Sequence, residues 1–175
     1  MHSFFSGRDS FTEDFDKGPI QKLVPGFHSI VVKPGPKANL WTYISVGAGL
    51  HQPVDAGRLE FVITATEPSS KHTERLAMTA YYHLTEKLGL GHTFPIGEPW
   101  LPDSYLDHAM ICLPYPFGKD FEVLCLENDH VHFFWVLPIS ARECAYRHEH
   151  GQEALESLFD QAKLEHSNPG RASVV

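Results

Sequence analysis

The chain has 175 residues, with 22 Asp and Glu against 14 Lys and Arg, and its formal net charge is -8. Its length and its hydrophobic fraction of 42% suit one folded domain with a single core rather than a disordered chain. No Lys/Arg cluster is present to neutralise a phosphate backbone, and no apolar stretch approaches the roughly 18 residues of a membrane span. These features argue against nucleic acid and membrane as ligands. An acidic surface suits a basic protein partner, although surplus negative charge also serves solubility alone.

The three cysteines, Cys112, Cys125 and Cys144, are widely spaced and stand among apolar residues. We expect them to be buried thiols in a reducing compartment. The first residues lack the basic region and the apolar run of a secretion signal. The sequence therefore predicts a cytoplasmic protein.

The first 25 residues show no clear periodicity, and we expect residues 1–25 to be a partly ordered segment. Its phenylalanines indicate some packing. Beyond it, apolar residues alternate with polar ones, and turn residues such as those of the segment 34–39 separate the runs. This pattern predicts a β-meander, with a flexible loop over residues 47–57 before its last strand. The three predicted strands cover residues 27–33, 40–46 and 58–66.

Ser70 is the predicted N-cap of a helix that reaches Leu88, because apolar residues recur along it at spacings of one and four. The Gly- and Pro-rich segment 89–108 is predicted to be an ordered excursion, since its large apolar residues need burial. The strand predicted last in the chain is apolar on both faces, as a central strand covered on both sides would be. The three strands predicted in this part of the chain cover residues 109–113, 121–127 and 130–138.

The stretch 146–153, YRHEHGQE, has the density of histidine and glutamate that metal and acid/base sites show. A structural interpretation accounts for it better. Ser140 is followed three residues later by Glu143, which is a capping box for a helix that ends at Gly151 with basic side chains in its last turn. A second helix is predicted over residues 152–164. Together the elements predict a single-domain α+β fold, with helices packed against a mixed, mostly antiparallel sheet over residues 26–165, and a C-terminal tail, 166–175.

Metal chemistry has two candidate positions. A zinc-protease helix needs H-E-x-x-H, but the residue four after His148 is Gln152, so that motif is incomplete. His130 and His132 are the better pair, because residues two apart on a strand share a face. No third ligand is identifiable. The alternative interpretation of His130 and His132 is that they lie at the end of a strand and face water. A metal-dependent hydrolase built on this pair is kept as an alternative function, and no phosphate-binding or nucleophile motif is found.

Three groups of residues occur in a characteristic order along the chain. In order and spacing they resemble the suppressor of fused domain, in its bacterial single-domain form, over about residues 27 to 160. The groups are a strand motif (Trp41, Tyr43, Ile44, Ser45 and Gly47), a pair after the helix (Gly91 and His92), and the chain end (Pro138, Ser140, Glu143 and Gly151, followed by a leucine-bearing helix).

The resemblance implies an α+β fold without catalytic residues or a cofactor. Animal members bind transcription factors of the Gli type through an added β-strand, held between this domain and a second one. The single domain here and the short loop after Gly47 depart from that pattern, so a clamp of that kind is not expected. Bacterial single-domain members look like immunity proteins of polymorphic toxin systems, which bind and block a toxin.

We therefore expect a non-enzymatic protein-binding module whose partner is a protein, a basic toxin being the specific hypothesis. An exposed edge strand can accept a strand of the partner, and Trp41, Tyr43 and Trp100 are the predicted apolar anchors. The alternative for these aromatic residues is the core, where aromatics on strands usually lie. A regulatory domain that binds a small ligand in the loop 89–108 is a further alternative.

Overall fold

A computed structural model gives the fold and describes Phe5 and residues 7–36, 39–50, 58–127 and 129–175. Most of the predicted flexible loop therefore lies outside the described residues. The strands are β1 (Ser10–Asp14), β2 (His28–Val32), β3 (Trp41–Val46), β4 (Arg58–Ala65), β5 (Thr93–Pro95), β6 (His108–Cys112), β7 (Val123–Cys125) and β8 (His130–Ile139). The α-helices are α1 (Ile20–Leu23), α2 (Ser70–Glu86), α3 (Ala141–His150) and α4 (Gln152–Gln161). Within these described stretches, no helix is both long enough and apolar enough to cross a membrane.

All the strands join one sheet in the order β1-β2-β3-β4-β8-β6-β5, and β7 pairs with β8 beside this path. Neighbouring strands are antiparallel except β4 and β8, which are parallel. A parallel pair needs a crossover, and the chain between these two strands supplies one that includes α2. This architecture confirms the predicted single-domain α+β fold with a mixed, mostly antiparallel sheet.

The central position of β8 is explained by its sequence. Val136 belongs to the cluster beneath α2, whereas Trp135 and Leu137 belong to the cluster beneath α4. Side chains of a strand alternate between the two faces of its sheet, so both faces of β8 are buried. The prediction of a strand covered on both sides is confirmed.

Helix α2 covers one face of the sheet with its apolar stripe. Leu76, Ala77 and Ala80 are fully buried there, in one cluster with Phe61 of β4. The helix begins one residue earlier than predicted, because Ser69 is the N-cap: its backbone is extended and its side chain accepts a hydrogen bond from the backbone N–H of Lys71. It ends at Glu86, two residues before its predicted end, and the rest of the predicted helix is confirmed.

The opposite face is covered by α4, the C-terminal tail and two 3₁₀ turns, Tyr115–Phe117 and Lys119–Phe121. The predicted strand 121–127 is too long, since β7 begins only at Val123. Phe121 belongs instead to the second turn, where its ring stacks on Phe133 at 5.0 Å between centroids. Burial of that ring favours the turn over an extended strand.

The cysteines differ in exposure. Cys112 is buried and Cys144 is half-buried, but Cys125 is exposed. The prediction that all three thiols are buried is therefore wrong for Cys125, which ends the short strand β7 with its side chain turned to solvent. Burial raises the pKa of Cys112 to about 12, so this thiol is protonated at neutral pH.

His72 makes the stability of the fold depend on pH. It is fully buried in the first turn of α2, and burial, helped by nearby Arg75, lowers its pKa from 6.5 to about 4. The unfolded chain therefore takes up this proton first, so the stability that the neutral ring contributes is present above about pH 6.5 and is lost as the pH falls toward 4. We expect a loss of about 2 to 3 kcal/mol by about pH 4.5, measured by urea unfolding.

His72→Phe is the matched variant for this prediction, because the aromatic ring is kept and the titration is removed. Burial also lowers the pKa values of His83 and His166, so part of the acid sensitivity should persist. The same loss of stability in His72→Phe as in the natural chain would contradict the assignment to His72.

Candidate functional site

Strand β1 forms one edge of the sheet, and β2 is its one strand neighbour among the described strands. Backbone hydrogen bonds join Lys33 to Asp9 and Phe15 to Phe27, so the residues of β1 that bond to β2 are the odd-numbered ones. The N–H and C=O groups of the even-numbered residues point away from the sheet. These residues are Ser10, Thr12 and Asp14, and all three are exposed.

Four acidic side chains lie along this edge, flanked by the basic Arg8 and Lys17. Asp9, Glu13, Asp14 and Asp16 lie within or beside β1. The Asp9 side chain is 81% exposed, whereas Glu13 is half-buried and accepts a hydrogen bond from the Thr73 hydroxyl of α2. That bond fastens the strand, and the acidic groups leave its outer edge suited to a basic segment.

The opposite edge, β5, is closed to a further strand. The pattern of bonds to β6 turns Thr93 and Pro95 outward, and proline has no N–H to donate. The Thr93 hydroxyl is also within hydrogen-bond distance of His148 Nε2 (3.0 Å) and Cys144 Sγ (3.4 Å) of α3. Among the described residues, no strand covers the outer edge of β1, whereas β5 is blocked.

The predicted apolar anchors lie mainly in the core. Tyr43 and Trp100 are 2% and 1% exposed, and the Tyr43 hydroxyl accepts a hydrogen bond from the Ser69 N–H at 2.9 Å. Neither offers a surface to a partner in this structure, which agrees with the alternative that they are core residues. Trp41 is half-buried at the start of β3, two strands in from β1. Its role in partner binding stays a prediction.

Ser45 and Gly47, which are buried, form a polar junction with the half-buried Glu60. The Glu60 carboxylate accepts hydrogen bonds from the Ser45 hydroxyl (2.5 Å) and from the backbone N–H groups of Gly47 (2.9 Å), Ala48 (3.2 Å) and Gly49 (3.3 Å). Burial raises the pKa of Glu60, and these hydrogen bonds oppose the rise. Gly47 has φ +117° and a side chain there would lie 2.6 Å from Val24, so the junction requires glycine.

Gly91 and His92 hold the loop after α2 against the sheet. Gly91 donates its N–H to the carbonyl of Ile111, and His92 accepts from the Ile111 N–H through its own carbonyl. Gly91 has φ +76°, and a Cβ atom there would lie 2.5 Å from the Gln152 side chain. This pair is therefore structural: it lets α4 approach the loop closely.

The predicted capping box is confirmed. The Ser140 hydroxyl accepts from the Glu143 N–H, and the Glu143 carboxylate accepts from the Ser140 N–H at 2.8 Å. Helix α3 ends before Gly151, as predicted. What the sequence did not reveal is Arg171, which donates to both oxygens of the fully buried Glu143 carboxylate and to the carbonyl of Pro138.

The C-terminal residues 166–175 pack against the domain at further points. The Ser167 carbonyl accepts from the Thr66 N–H, and the carbonyl of Pro169 accepts from the Ser104 hydroxyl. Ser167 and Arg171 are buried. Helix α4 stops at Gln161, three residues before its predicted end, and the tail then folds back over the sheet.

His130 and His132 share one face of β8, with 4.9 Å between their ring centroids. The described part of the chain contains no group of three or more His, Cys, Asp or Glu side chains placed to hold a metal ion. A hydrolase that uses this pair stays an untested alternative.

The loop 89–108 borders a cavity of about 410 Å³, which it forms with α2 and the start of α1. Arg75, 3% exposed, lies at this cavity and donates to the Glu98 carboxylate at 2.8 Å and to the carbonyl of Pro99. The arginine therefore fixes the loop. A small ligand at this loop stays a prediction.

Both the sequence and the fold are similar to those of known proteins. The family model described as suppressor of fused protein (SUFU) matches residues 25–172. A crystal structure of a SUFU homologue from Neisseria gonorrhoeae is similar at 33% identity and a TM-score of 0.83, over 99% of this chain and 92% of that one. No sequence among the curated proteins matches.

Two more distant structures share the fold. A chain of the Sufu-Fu complex crystal structure is 13% identical with a TM-score of 0.73, over 99% of this chain and 88% of that one. Drosophila Suppressor of Fused is 13% identical with a TM-score of 0.62, over 94% of this chain but 42% of that one. Because the family model covers most of the sequence and the Neisseria relative is 33% identical along nearly all of it, the chain belongs to the suppressor of fused family.

Proposed function

We propose that this chain is a non-enzymatic module that binds a basic protein through the free edge of β1, and that it acts as an immunity protein that neutralises a toxin. The observation that carries the proposal is the row of outward backbone groups at Ser10, Thr12 and Asp14 beside acidic side chains. Family membership supports protein binding in general, and one structure of the family is a complex, Sufu-Fu.

Strand addition explains how an edge without a deep pocket gains affinity. A partner strand antiparallel or parallel to β1 would donate to and accept from the backbone of alternate residues. The edge is five residues long, so the backbone bonds are few and the flanking charges must contribute. Asp14, which is exposed, attracts a basic residue of the partner strand, and Asp9 can do so in exchange for its exposed pair with Lys33. The association should therefore weaken as salt rises.

The partner is sought by capture of tagged protein from a lysate of the native host, followed by mass spectrometry at two salt concentrations. The expected result is one basic protein at a one-to-one ratio, with less recovered at the higher salt concentration. Background proteins alone at both salt concentrations would count against a toxin partner in that host.

Thr12→Pro tests the edge directly. The Thr12 N–H points away from β2, so proline at this position removes no bond of the sheet but blocks an incoming strand. We expect binding of the captured partner to weaken about tenfold or more, while the melting temperature changes little. Isothermal titration calorimetry and thermal unfolding measure the two effects.

Thr12→Val is the matched control, because it changes the side chain at the same position and keeps the N–H. It should bind as the natural chain does. Equal binding by Thr12→Pro and Thr12→Val would place the partner somewhere other than the β1 edge.

A further inference from the structure

A second surface feature lies on the sheet face opposite α2. It is a cavity of about 570 Å³ between β6, β8 and α4, within the size range of small-molecule sites. Met110, Cys112 and Trp135 line it from the strands, and Phe159 lines it from α4. All four side chains are buried, so the interior is apolar.

Aromatic rings surround much of this cavity. The His166 ring meets Trp135 and Phe159 edge-on, at centroid distances of 5.7 and 5.6 Å. Tyr115 also lines the cavity and is 60% exposed, which places it at the mouth. The indole Nε1 of Trp135 is buried without an acceptor among the described residues. An aromatic lining favours an organic ligand that carries a π-system or a cation. The indole N–H needs an acceptor, which the face of an aromatic ring on the ligand can supply.

The carboxylates that line the cavity come from α4, while the nearby Arg171 lies over the Phe159 ring at 5.4 Å. Glu156 and Asp160 lie one turn apart on α4, and both line the cavity. In the part of the chain that the structure describes, neither carboxylate forms an ion pair with a lysine or arginine. Glu156 accepts a hydrogen bond from the neutral Gln152 amide at 2.8 Å, which leaves its charge uncompensated. Two carboxylates without a lysine or arginine partner among the described residues, placed beside aromatic rings, attract a cation.

Covalent chemistry has no suitable nucleophile in this cavity. Cys112 lines it, but burial raises the pKa of this thiol to about 12 and nearby Glu156 adds to the rise. A protonated, buried thiol is inert. Cys112 is therefore not a nucleophile in this cavity.

We propose that this cavity binds a small organic cation, an ammonium group on an apolar body about the size of one aromatic ring. The apolar body would pack among Trp135, Phe159 and Tyr115, and the ammonium group would face Glu156 and Asp160. The cavity lies on β6 and β8, whereas the proposed partner edge is β1 at the far end of the strand order. A negative result for one of the two proposals therefore leaves the other unaffected.

The indole N–H of Trp135 provides a local readout. The chain has three tryptophans, so a ¹H–¹⁵N spectrum carries three side-chain indole signals, and Trp135→Phe identifies the relevant one. The probes are phenethylammonium, the uncharged 2-phenylethanol and the anionic 3-phenylpropanoate, which share a phenyl ring on a short chain. We expect phenethylammonium to shift the Trp135 signal saturably with a Kd of about 1 mM or tighter, and the anion to leave it in place.

The double variant Glu156→Gln/Asp160→Asn tests the charge, and both side chains are accessible enough for the substitutions to be tolerated. It should weaken phenethylammonium binding about tenfold or more and bring it level with 2-phenylethanol. Glu149→Gln is the control, because this carboxylate on α3 is 76% exposed and does not line the cavity. No saturable shift with phenethylammonium, or equal affinity for the cation and the anion, would overturn the proposal.

Discussion

Replacing Arg171 by alanine is expected to lower the free energy of unfolding by about 3 to 5 kcal/mol. The Glu143 carboxylate is fully buried, and Arg171 donates to its two oxygens at 2.7 and 2.9 Å. Without the guanidinium, the carboxylate keeps its helix-capping bonds but loses its countercharge inside the protein. The carbonyl of Pro138 loses its bond to Arg171 as well. An uncompensated buried charge is among the most destabilising changes that a fold can undergo.

Urea unfolding followed by circular dichroism measures this loss, and Lys33→Ala is the control. Lys33 pairs with Asp9 at 3.3 Å, but the two side chains are 48% and 81% exposed, so their removal should cost less than about 1 kcal/mol. A similar small change in Arg171→Ala would mean that the Glu143 carboxylate is not held as the structure shows.

The contacts of Glu143 show which interactions a local sequence pattern predicts and which it does not. Ser140 and Glu143 stand three residues apart, which is the spacing of a capping box, so the helix start was predictable from four residues. Arg171 follows Glu143 by 28 residues, and no periodicity links the two. The pairing arises from the path of the tail over the sheet, and tertiary contacts of this kind leave no local pattern.

The longer strands were predictable because apolar residues occupy their buried positions. β8 is buried on both faces and β4 on most positions, and apolar residues mark both in the sequence. β1 was not predicted, because four of its five residues are exposed and an edge strand need not alternate. β5 is a three-residue strand that ends in proline. The edge that we propose as the docking site was thus the part of the sheet that the sequence revealed least.

The aromatic residues illustrate a related ambiguity. Tyr43 and Trp100 suit either a core or a binding surface by residue type, and their burial was decided by α2 and by the loop that Arg75 holds. The cavity beside Trp135 likewise depends on how α4 and the tail cross the sheet. Residue type alone does not distinguish these cases, because each depends on which element packs against the ring.

Replacing Glu60 by alanine should lower the free energy of unfolding by about 2 to 4 kcal/mol, because several polar groups lose one acceptor at once and water can reach the half-buried site to replace part of it. The carboxylate binds the Ser45 hydroxyl and three consecutive backbone N–H groups, those of residues 47–49. Buried donors left without an acceptor each cost about 1 to 3 kcal/mol. Alanine also leaves a void where the carboxylate was. Thermal and urea unfolding measure the loss.

Glu60→Gln is the matched variant, because it preserves the size of the side chain and one carbonyl oxygen. Its free energy of unfolding should lie between those of the alanine variant and the natural chain. The remaining oxygen accepts hydrogen bonds from some of the N–H groups, while the new amide NH₂ faces others that also donate. A glutamine variant as stable as the natural chain would mean that side-chain volume and one oxygen are enough to hold the junction, and would contradict the role of the full carboxylate. The intermediate result would explain why the end of β3 carries serine and the turn after it begins with glycine: Ser45 and Gly47 bring donors to a carboxylate that the neighbouring strand supplies.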